Sequence, residues 1–348
     1  MGKTALVISG GGSKGAYAVG AINYMVGTLG LKFDIVIGTS TGSLIAPFVI
    51  TDKIAELNNF YSHAGDFGLV EKKPVYQWRK AKSIYKTTGL RNKLKEFLNN
   101  QLFTSLTNSK NNMLICTVDF VTGKIVNFYT GPHLGISSEQ YELKKLANRD
   151  TLVNAVHASA DMPVLTPLLS IQGGLYADGG VKEILPIWPA IDMGATQIYA
   201  IILSSKEKQI NPKAWKNKDK LSLITIALRT VGLLLDEIRQ NDIHPALLHS
   251  KSSEYINKVA RIEKGLAEMR TVLNNQHNIP KSDLDQLWSK YCKFPKIPSQ
   301  FPSSDKVSIR IVQPEKKSDL PLGTLEFKNK QMVTMIKTGF EQAKTQLK

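Results

Sequence analysis

The first 50 residues of the chain alternate between apolar runs, glycine-rich turns and helical segments. An apolar run at residues 4–8 enters a glycine-rich turn at residues 9–15, and an alanine-rich helix is expected at residues 16–27. A second apolar run, residues 33–37, leads into a G-T-S-T-G turn at residues 38–42 and another helical segment. Strand–turn–helix units of this kind predict an α/β fold with a largely parallel sheet covered by helices.

The first turn carries a row of glycines where a strand passes into a helix. Because Gly10, Gly11 and Gly12 have no Cβ, the backbone there can approach a ligand closely. Amide groups at a helix start have no intrahelical partner and lie at the positive end of the helix dipole. The loop therefore suits a bound phosphate or an oxyanion that forms during a reaction. The predicted donors are the Gly11 and Gly12 amides, with Ser13 and Lys14 beside them.

The second turn has the G-x-S-x-G pattern of a nucleophile elbow, a sharp strand-to-helix turn that exposes a serine hydroxyl. Gly38 and Gly42 flank Ser40 and relieve crowding around the turn. A serine nucleophile needs a base, which is usually a histidine oriented by a carboxylate. The alternative is an aspartate that contacts the serine directly. Asp178 is the candidate, since it ends a short apolar strand and two glycines follow it.

Strands and helices continue to alternate as far as residue 204, after which the chain becomes polar, basic and mostly helical. Further strands are expected at residues 113–118, 124–129, 175–178, 197–203 and 306–312, the first two as a hairpin. Further helices are expected at residues 52–61, 90–102, 152–160, 221–238, 253–275, 282–291 and 325–347.

The composition and net charge limit the classes of partner that the chain could bind. The chain has 348 residues, 42% of them hydrophobic, and a formal net charge of +16. Positive charge attracts nucleic acid or anionic lipid surfaces, but zinc-finger spacing, an arginine-rich arm and an aromatic-basic RNA motif are all absent. We therefore expect no nucleic acid and favour an anionic membrane surface, with plain solubility charge as the alternative. Cys116 and Cys292 give neither a disulfide framework nor a metal site.

The sequence has no uninterrupted apolar run of 18 residues and no signal-peptide pattern at its start. A cytoplasmic location is expected, peripheral at a membrane as an option, and signal-free export stays open. Residues 62–87 combine basic and aromatic side chains, which suits either the rim of a lipid-facing opening or a solvated face. These side chains are Lys72, Lys73, Tyr76, Trp78, Arg79, Lys80, Lys82, Tyr85 and Lys86.

Three motifs together resemble the patatin-like phospholipase family: G-G-G-x-[RK]-G on the first turn, G-T-S-x-G at an early elbow, and D-G-G at residues 178–180. The run from Ala158 and Ser159 to Pro163 is similar to the family's loop before its aspartate, and residues 321–343 resemble its closing segment. The resemblance spans nearly the whole chain. It implies one three-layer α/β/α domain over residues 1–348, with a catalytic core (1–204), a helical insertion or cap (205–300) and a closing strand and helix (301–348).

The resemblance also implies an activity: a lipid acyl hydrolase of the phospholipase A or lysophospholipase type, acting without calcium, metal or cofactor. Ser40 would be the nucleophile and Asp178 the general base. The oxyanion loop would comprise Gly10, Gly11, Gly12, Ser13 and Lys14, and the supporting glycines Gly38, Gly42, Gly179 and Gly180. Lys14 stands where the family more often has arginine, and Ser9 where plant patatins carry an acidic residue. Neither difference touches the two catalytic positions.

Three other interpretations stay open. A Ser–His–Asp esterase could use His244, His249 or His277, although that fold places several strands before its elbow. The first turn also matches the dinucleotide fingerprint, but Asp34 precedes the second strand, whereas the fingerprint's acidic residue ends it. A catalytically silent or ligand-gated lipid-binding protein would have the same sequence features. Head group, chain length, oligomeric state and any activating partner are not readable from the sequence.

Overall fold

The computed structural model describes residues 2–132, 138–207, 223–277, 280–291 and 307–348. The chain divides into two compact units. The first comprises Met1–His244 with Ile309–Lys348, and the second comprises Pro245–Ser308. The predicted boundaries at residues 204 and 300 stay a prediction, and parts of that predicted cap lie outside the described residues.

A nine-stranded sheet forms the centre of the described part of the first unit, in the order β11-β10-β1-β2-β5-β6-β7, with β9 paired to β5 and β8 to β9. The strands are β1 (Lys3–Ile8), β2 (Ile35–Thr39), β5 (Asn112–Asp119), β6 (Ile125–Thr130), β7 (Tyr141–Lys145), β8 (Leu169–Ile171), β9 (Gly174–Asp178), β10 (Ala195–Ile201) and β11 (Ser308–Val312). A separate pair joins β3 (Glu71–Lys72) to β4 (Tyr85–Lys86). Neighbours from β10 through β1 and β2 to β5 are parallel, which confirms the predicted fold class.

The first unit also contains the helices α1 (Gly15–Ile22), α2 (Thr41–Ile50), α3 (Ile54–Ser62), α4 (Trp78–Ala81), α5 (Thr88–Phe97), α6 (Asn100–Thr107), α7 (Arg149–Ser159) and α8 (Ile187–Asp192). Helix α9 is Leu223–His277, α10 (Lys281–Tyr291) lies in the second unit, and α11 (Asn329–Gln346) lies in the first. A π-helical turn, Asn23–Thr28, extends α1. Helix α9 begins in the first unit and ends in the second. In the described residues no helix is long and apolar enough to span a bilayer.

Three predicted helices had wrong boundaries. The helix expected at residues 90–102 is two helices, because the Asn99 side chain accepts the Leu102 amide at 2.9 Å and starts α6 afresh. The helices expected at residues 221–238 and 253–275 belong to the single helix α9, which continues through Pro245. The predicted hairpin of β5 and β6 is confirmed.

The closing helix α11 packs directly on α1. At Gly20 of α1 there is no room for a Cβ, because the Ile336 carbonyl lies against it, and Gly339 of α11 meets the Tyr17 carbonyl in the same way. The two backbones approach more closely than side chains would allow. The end of the chain therefore belongs to the core that holds the glycine turn after β1.

Candidate active site

Ser40 lies at the turn between β2 and α2, and its backbone conformation is strained. Its φ is 56° and its ψ is −121°, a region that non-glycine residues rarely adopt. A Cβ at Gly38 would collide with the Gly42 backbone, and one at Gly42 would collide with the Ile8 carbonyl. The two flanking glycines are thus required by close backbone contacts, and the turn has the geometry of a nucleophile elbow.

Strand β5 brings Ser40 and Asp178 together. Along one side of β5, Thr39 at the end of β2 pairs with Cys116, and Asp178 at the end of β9 pairs with the next residue, Thr117. Because β2 is parallel and β9 antiparallel to β5, their two carboxyl ends meet head-on at this point. The residue after Thr39 is Ser40, so the sheet register itself places the serine beside the aspartate.

The Asp178 carboxyl is buried, with 3% of the residue exposed. It accepts a hydrogen bond from the Gly180 amide at 2.7 Å, and the Ser40 hydroxyl lies near enough to lower its pKa. Burial raises the pKa of Asp178 to about 7, and the nearby Gly180 amide and Ser40 hydroxyl only partly offset this effect. Gly179 has no room for a Cβ because the Cys116 carbonyl oxygen would lie 2.6 Å away. The D-G-G sequence thus lets this carboxyl reach the elbow.

Ser159, at the end of α7, stabilises the elbow by two hydrogen bonds. Its hydroxyl accepts the Ser40 amide at 2.9 Å and donates to the Cys116 carbonyl at 2.6 Å. A second brace comes from Ser43, whose hydroxyl donates to the Ser40 carbonyl at 2.6 Å. These bonds fix the backbone on both sides of the nucleophile candidate. The sequence pointed to Ser159 only through the family-like loop, without assigning it a role.

The glycine turn lies against the elbow. A Cβ at Gly10 would stand 3.1 Å from the Ser40 Cβ. The Gly10 amide donates to the Ile184 carbonyl at 3.2 Å, and the Ser13 amide donates to the Thr324 carbonyl at 2.9 Å. The described part of the chain offers no hydrogen-bond acceptor to the Gly11 or Gly12 amide.

Lys14 of this turn is partly buried. Burial lowers the pKa of its amine, the positive charges of Arg239 and Lys317 lower it further, and Asp236 opposes them. Arg239 lies 2.9 Å from Asp236 and makes an ion pair with it. The excess of positive charge around Lys14 favours the binding of an anion or the stabilisation of a developing negative charge.

A cavity of about 390 Å³ opens over Ser40 and Asp178. Its wall is mostly apolar and includes Leu44, Phe60, Leu69, Leu90, Met162 and Leu165. The glycine turn, Lys14 and Arg239 also line it. An extended hydrocarbon chain suits the apolar part of this wall, and a polar group suits the part beside the glycine turn.

One buried titratable pair next to the site went unnoticed in the sequence. His157 Nε2 lies 2.9 Å from the Thr87 hydroxyl and 3.4 Å from the Asp161 carboxylate. Burial raises the pKa of Asp161 to about 7 and lowers the pKa of His157 to about 4. No described histidine lines the cavity. In the described residues no group of three or more His, Cys, Asp or Glu side chains could hold a metal ion.

A comparison with family models matches residues 6–191 to the patatin-like phospholipase model. The chain belongs to the patatin-like phospholipase family. The match covers more than half of the chain and includes both the elbow and the D-G-G loop. The family assignment indicates a phospholipase or related lipid hydrolase in general terms.

One similar curated protein is a cGAMP-activated phospholipase of Pseudomonas aeruginosa, 28% identical over 185 residues. The aligned part is 51% of this chain and 52% of that protein, so the chain spans about half the length of the curated relative it matches. Among solved structures, the crystal structure of VipD from Legionella pneumophila has a TM-score of 0.40 and 12% identity. That alignment covers 99% of this chain and 66% of the other.

Proposed function

We propose that the chain is a calcium-independent lipid acyl hydrolase, of the phospholipase A or lysophospholipase type, acting through Ser40 and Asp178. The observation that carries the proposal is the sheet register that places Ser40 beside the buried Asp178, at the floor of a mostly apolar cavity. A buried carboxyl next to a serine at an elbow is the arrangement that nucleophilic catalysis needs.

In the proposed first step, the Ser40 oxygen attacks the ester carbonyl while Asp178 takes its proton. The carbonyl oxygen becomes an oxyanion, which the unpaired Gly11 and Gly12 amides receive. The Gly10 and Ser13 amides already donate to backbone carbonyls, so we assign the oxyanion hole to the two glycines between them. Collapse breaks the ester bond, and the departing alcohol, the lysolipid, takes the proton from Asp178.

The second step releases the fatty acid. Asp178 takes a proton from a water molecule that attacks the acyl-serine, and a second oxyanion forms at the same amides. When that intermediate collapses, Ser40 leaves and recovers its proton from Asp178. Lys14 lies beside the developing negative charge and stabilises it by its positive charge.

Hydrolysis of mixed phospholipid vesicles tests this proposal. The purified protein is incubated with the vesicles and a chelator, and products are identified by mass spectrometry beside a Ser40→Ala control. We expect free fatty acid and lysolipid from the wild type alone, because the proposed mechanism uses no metal. Fatty acid release that stops on chelation, or that persists in the control, contradicts the proposal.

A ligand-gated form of the same enzyme is the second candidate. The similar Pseudomonas protein is described as cGAMP-activated. Residues of α9 line the cavity here, including Leu235, and Asp242 of the same helix accepts the Ile184 and Leu185 amides at 2.8 and 2.9 Å. A movement of this segment would change access to Ser40. Hydrolysis that needs added cGAMP would support gating, and unchanged hydrolysis would exclude that activator.

We predict that kcat/KM falls as the pH is lowered below 7. Asp178 must be ionised to accept the Ser40 proton, and burial raises its pKa to about 7. As pH falls below 7 the ionised fraction falls about tenfold per unit, so kcat/KM at pH 5 should be about a hundredfold below its plateau. The measurement is hydrolysis of a water-soluble short-chain ester across pH. A flat profile between pH 5 and 8 would exclude Asp178 as a base with this pKa.

A further inference from the structure

The segment between β3 and β4 exposes large apolar side chains at its tip. Val75 is 70% exposed and Tyr76 is 81% exposed. The tip is tied down, because the Trp78 indole donates to the Lys73 carbonyl at 2.8 Å and the Lys73 amide donates to the Ile84 carbonyl at 2.9 Å. Val75 and Tyr76 are thus held outward by a structured turn.

Another exposed apolar residue, Val164, lies next to this segment. The Ile84 amide donates to the Val164 carbonyl at 3.2 Å, and the Tyr85 amide donates to the Leu165 carbonyl at 2.8 Å. Val164 is 69% exposed and has a φ of 72°. A β-branched residue at positive φ is strained, so the local structure forces this side chain toward solvent at an energetic cost.

The same loops form part of the cavity wall over Ser40. Leu69 and Val70, which line the cavity, directly precede β3, and Leu165 directly follows Val164. A surface formed at the β3–β4 tip and Val164 is therefore continuous along the chain with the wall that suits a hydrocarbon chain.

Positive charge surrounds the exposed apolar residues. Residues 68–90 contain six lysines and arginines and one acidic residue, Glu71. Glu71 pairs with Lys86 at 2.6 Å. The exposed Arg79, Lys80 and Lys82 make no ion pair with any described residue. Unpaired cations beside exposed aliphatic and tyrosine side chains are the composition of a surface that binds an anionic bilayer.

We propose that Val75, Tyr76, Val164, Arg79, Lys80 and Lys82 form a docking face that seats the cavity on the surface of an anionic phospholipid bilayer. The apolar side chains enter the interfacial region, where tyrosine sits at head-group level. Each cation near the anionic surface contributes roughly 1 kcal/mol, or about a fivefold gain in binding. The proposal rests on the proposed function in one respect, that the substrate is a bilayer lipid.

Vesicle sedimentation tests the docking face. The full-length Ser40→Ala protein is used so that the lipid stays intact, with vesicles of phosphatidylcholine with or without phosphatidylglycerol. We expect binding to the mixed vesicles that weakens at high salt. In that background, Lys80→Glu with Lys82→Glu should weaken partitioning by at least about tenfold. Val75→Ser with Tyr76→Ser should weaken it by about tenfold on all mixed vesicles.

A matched control lies at the other edge of the sheet. Helix α1 starts at the carboxyl end of β1 and runs back, so Leu29 and Lys32, which precede β2, lie at the amino ends of the parallel strands. Leu29 is 41% exposed and Lys32 is exposed. The pair Leu29→Ser with Lys32→Glu should bind as the parent does. Docking-face variants that sediment like this control would overturn the proposal, as would equal binding of the parent to neutral vesicles.

Hydrolysis is measured separately, in docking-face variants that retain Ser40. The ratio of vesicle-lipid hydrolysis to hydrolysis of a water-soluble ester should fall about tenfold in the docking-face variants, since only the bilayer substrate needs docking. An equal fall in both activities would overturn the docking face. Binding without any hydrolysis would leave the docking face standing and reject the proposed function. Hydrolysis with unimpaired binding in the variants would reject the docking face alone.

Discussion

Asp178→Asn should lower kcat on any ester substrate by about a thousandfold or more while leaving the protein folded, because the amide cannot take the Ser40 proton. Asparagine has the shape of aspartate, and its oxygen can still accept the Gly180 amide that the carboxylate accepts at 2.7 Å. The substitution also removes a buried charge, so thermal stability should be unchanged or higher. The measurements are kcat on a soluble ester, far-UV circular dichroism and Tm. Activity near the wild-type level in a folded Asp178→Asn protein would reject the dyad.

Asp161→Asn is the matched control for this prediction. Asp161 is as buried as Asp178, and burial likewise raises its pKa to about 7. The Asp161 backbone carbonyl accepts the Asp178 amide at 3.0 Å. The Asp161 carboxylate faces His157, at 3.4 Å, and not the nucleophile candidate. We expect kcat within about tenfold of wild type, since the side chain takes no proton in the proposed mechanism. A loss as large as that of Asp178→Asn would mean that buried carboxyls in this region act as a unit.

The backbone geometry of the two turns in the candidate site follows from the sequence, because glycines permit close backbone approach. The G-T-S-x-G elbow and the first turn are each specified by residues a few positions apart, and the structure has Gly38 and Gly42 where a Cβ would collide. The D-G-G loop was a weaker signal, since most such sequences form ordinary turns. What gives Asp178 its position is the register of β9 on β5, a pairing between residues about 60 positions apart.

Other features depend on tertiary contacts that periodicity does not report. The His157–Asp161 pair has no sequence pattern, because His157 in α7 and Asp161 just after it are buried together only when α7 ends against the elbow. The single helix α9 replaced two predicted helices, since its polar middle interrupts the apolar pattern without interrupting the backbone. Likewise, the sequence around Val75 shows only a mixture of basic and aromatic residues. The outward position of Val75 depends on the hydrogen bond from the Trp78 indole to the Lys73 carbonyl, which the sequence does not reveal.

Gly42→Ala should be a severely damaging single-methyl substitution at the elbow. A Cβ at this position would collide with the Ile8 carbonyl and stand 3.0 Å from the Ile8 Cβ, and neither belongs to a flexible side chain end. Overpacking of a rigid core costs on the order of 3 kcal/mol, which corresponds to a fall in Tm of about 5–10 °C. Relief of the clash requires α2 to move away from β1, and Ser40 moves with it. A displacement of about 1 Å costs roughly a hundredfold in kcat.

Gly27→Ala separates this effect from the general consequence of removing a glycine. Gly27 lies in the π-helical turn after α1, and a Cβ there would meet nothing within 4 Å. Alanine in a helical position with open space should be neutral or more stable by up to about 1 kcal/mol, with unchanged activity. The comparison is made by thermal unfolding and by kcat on the same soluble ester. If Gly42→Ala matched Gly27→Ala in both measurements, the β1–α2 contact would be able to relax, and the strained φ of Ser40 would not depend on it. If Gly42→Ala lost both stability and activity, the elbow would be held by the backbone contact that only glycine permits.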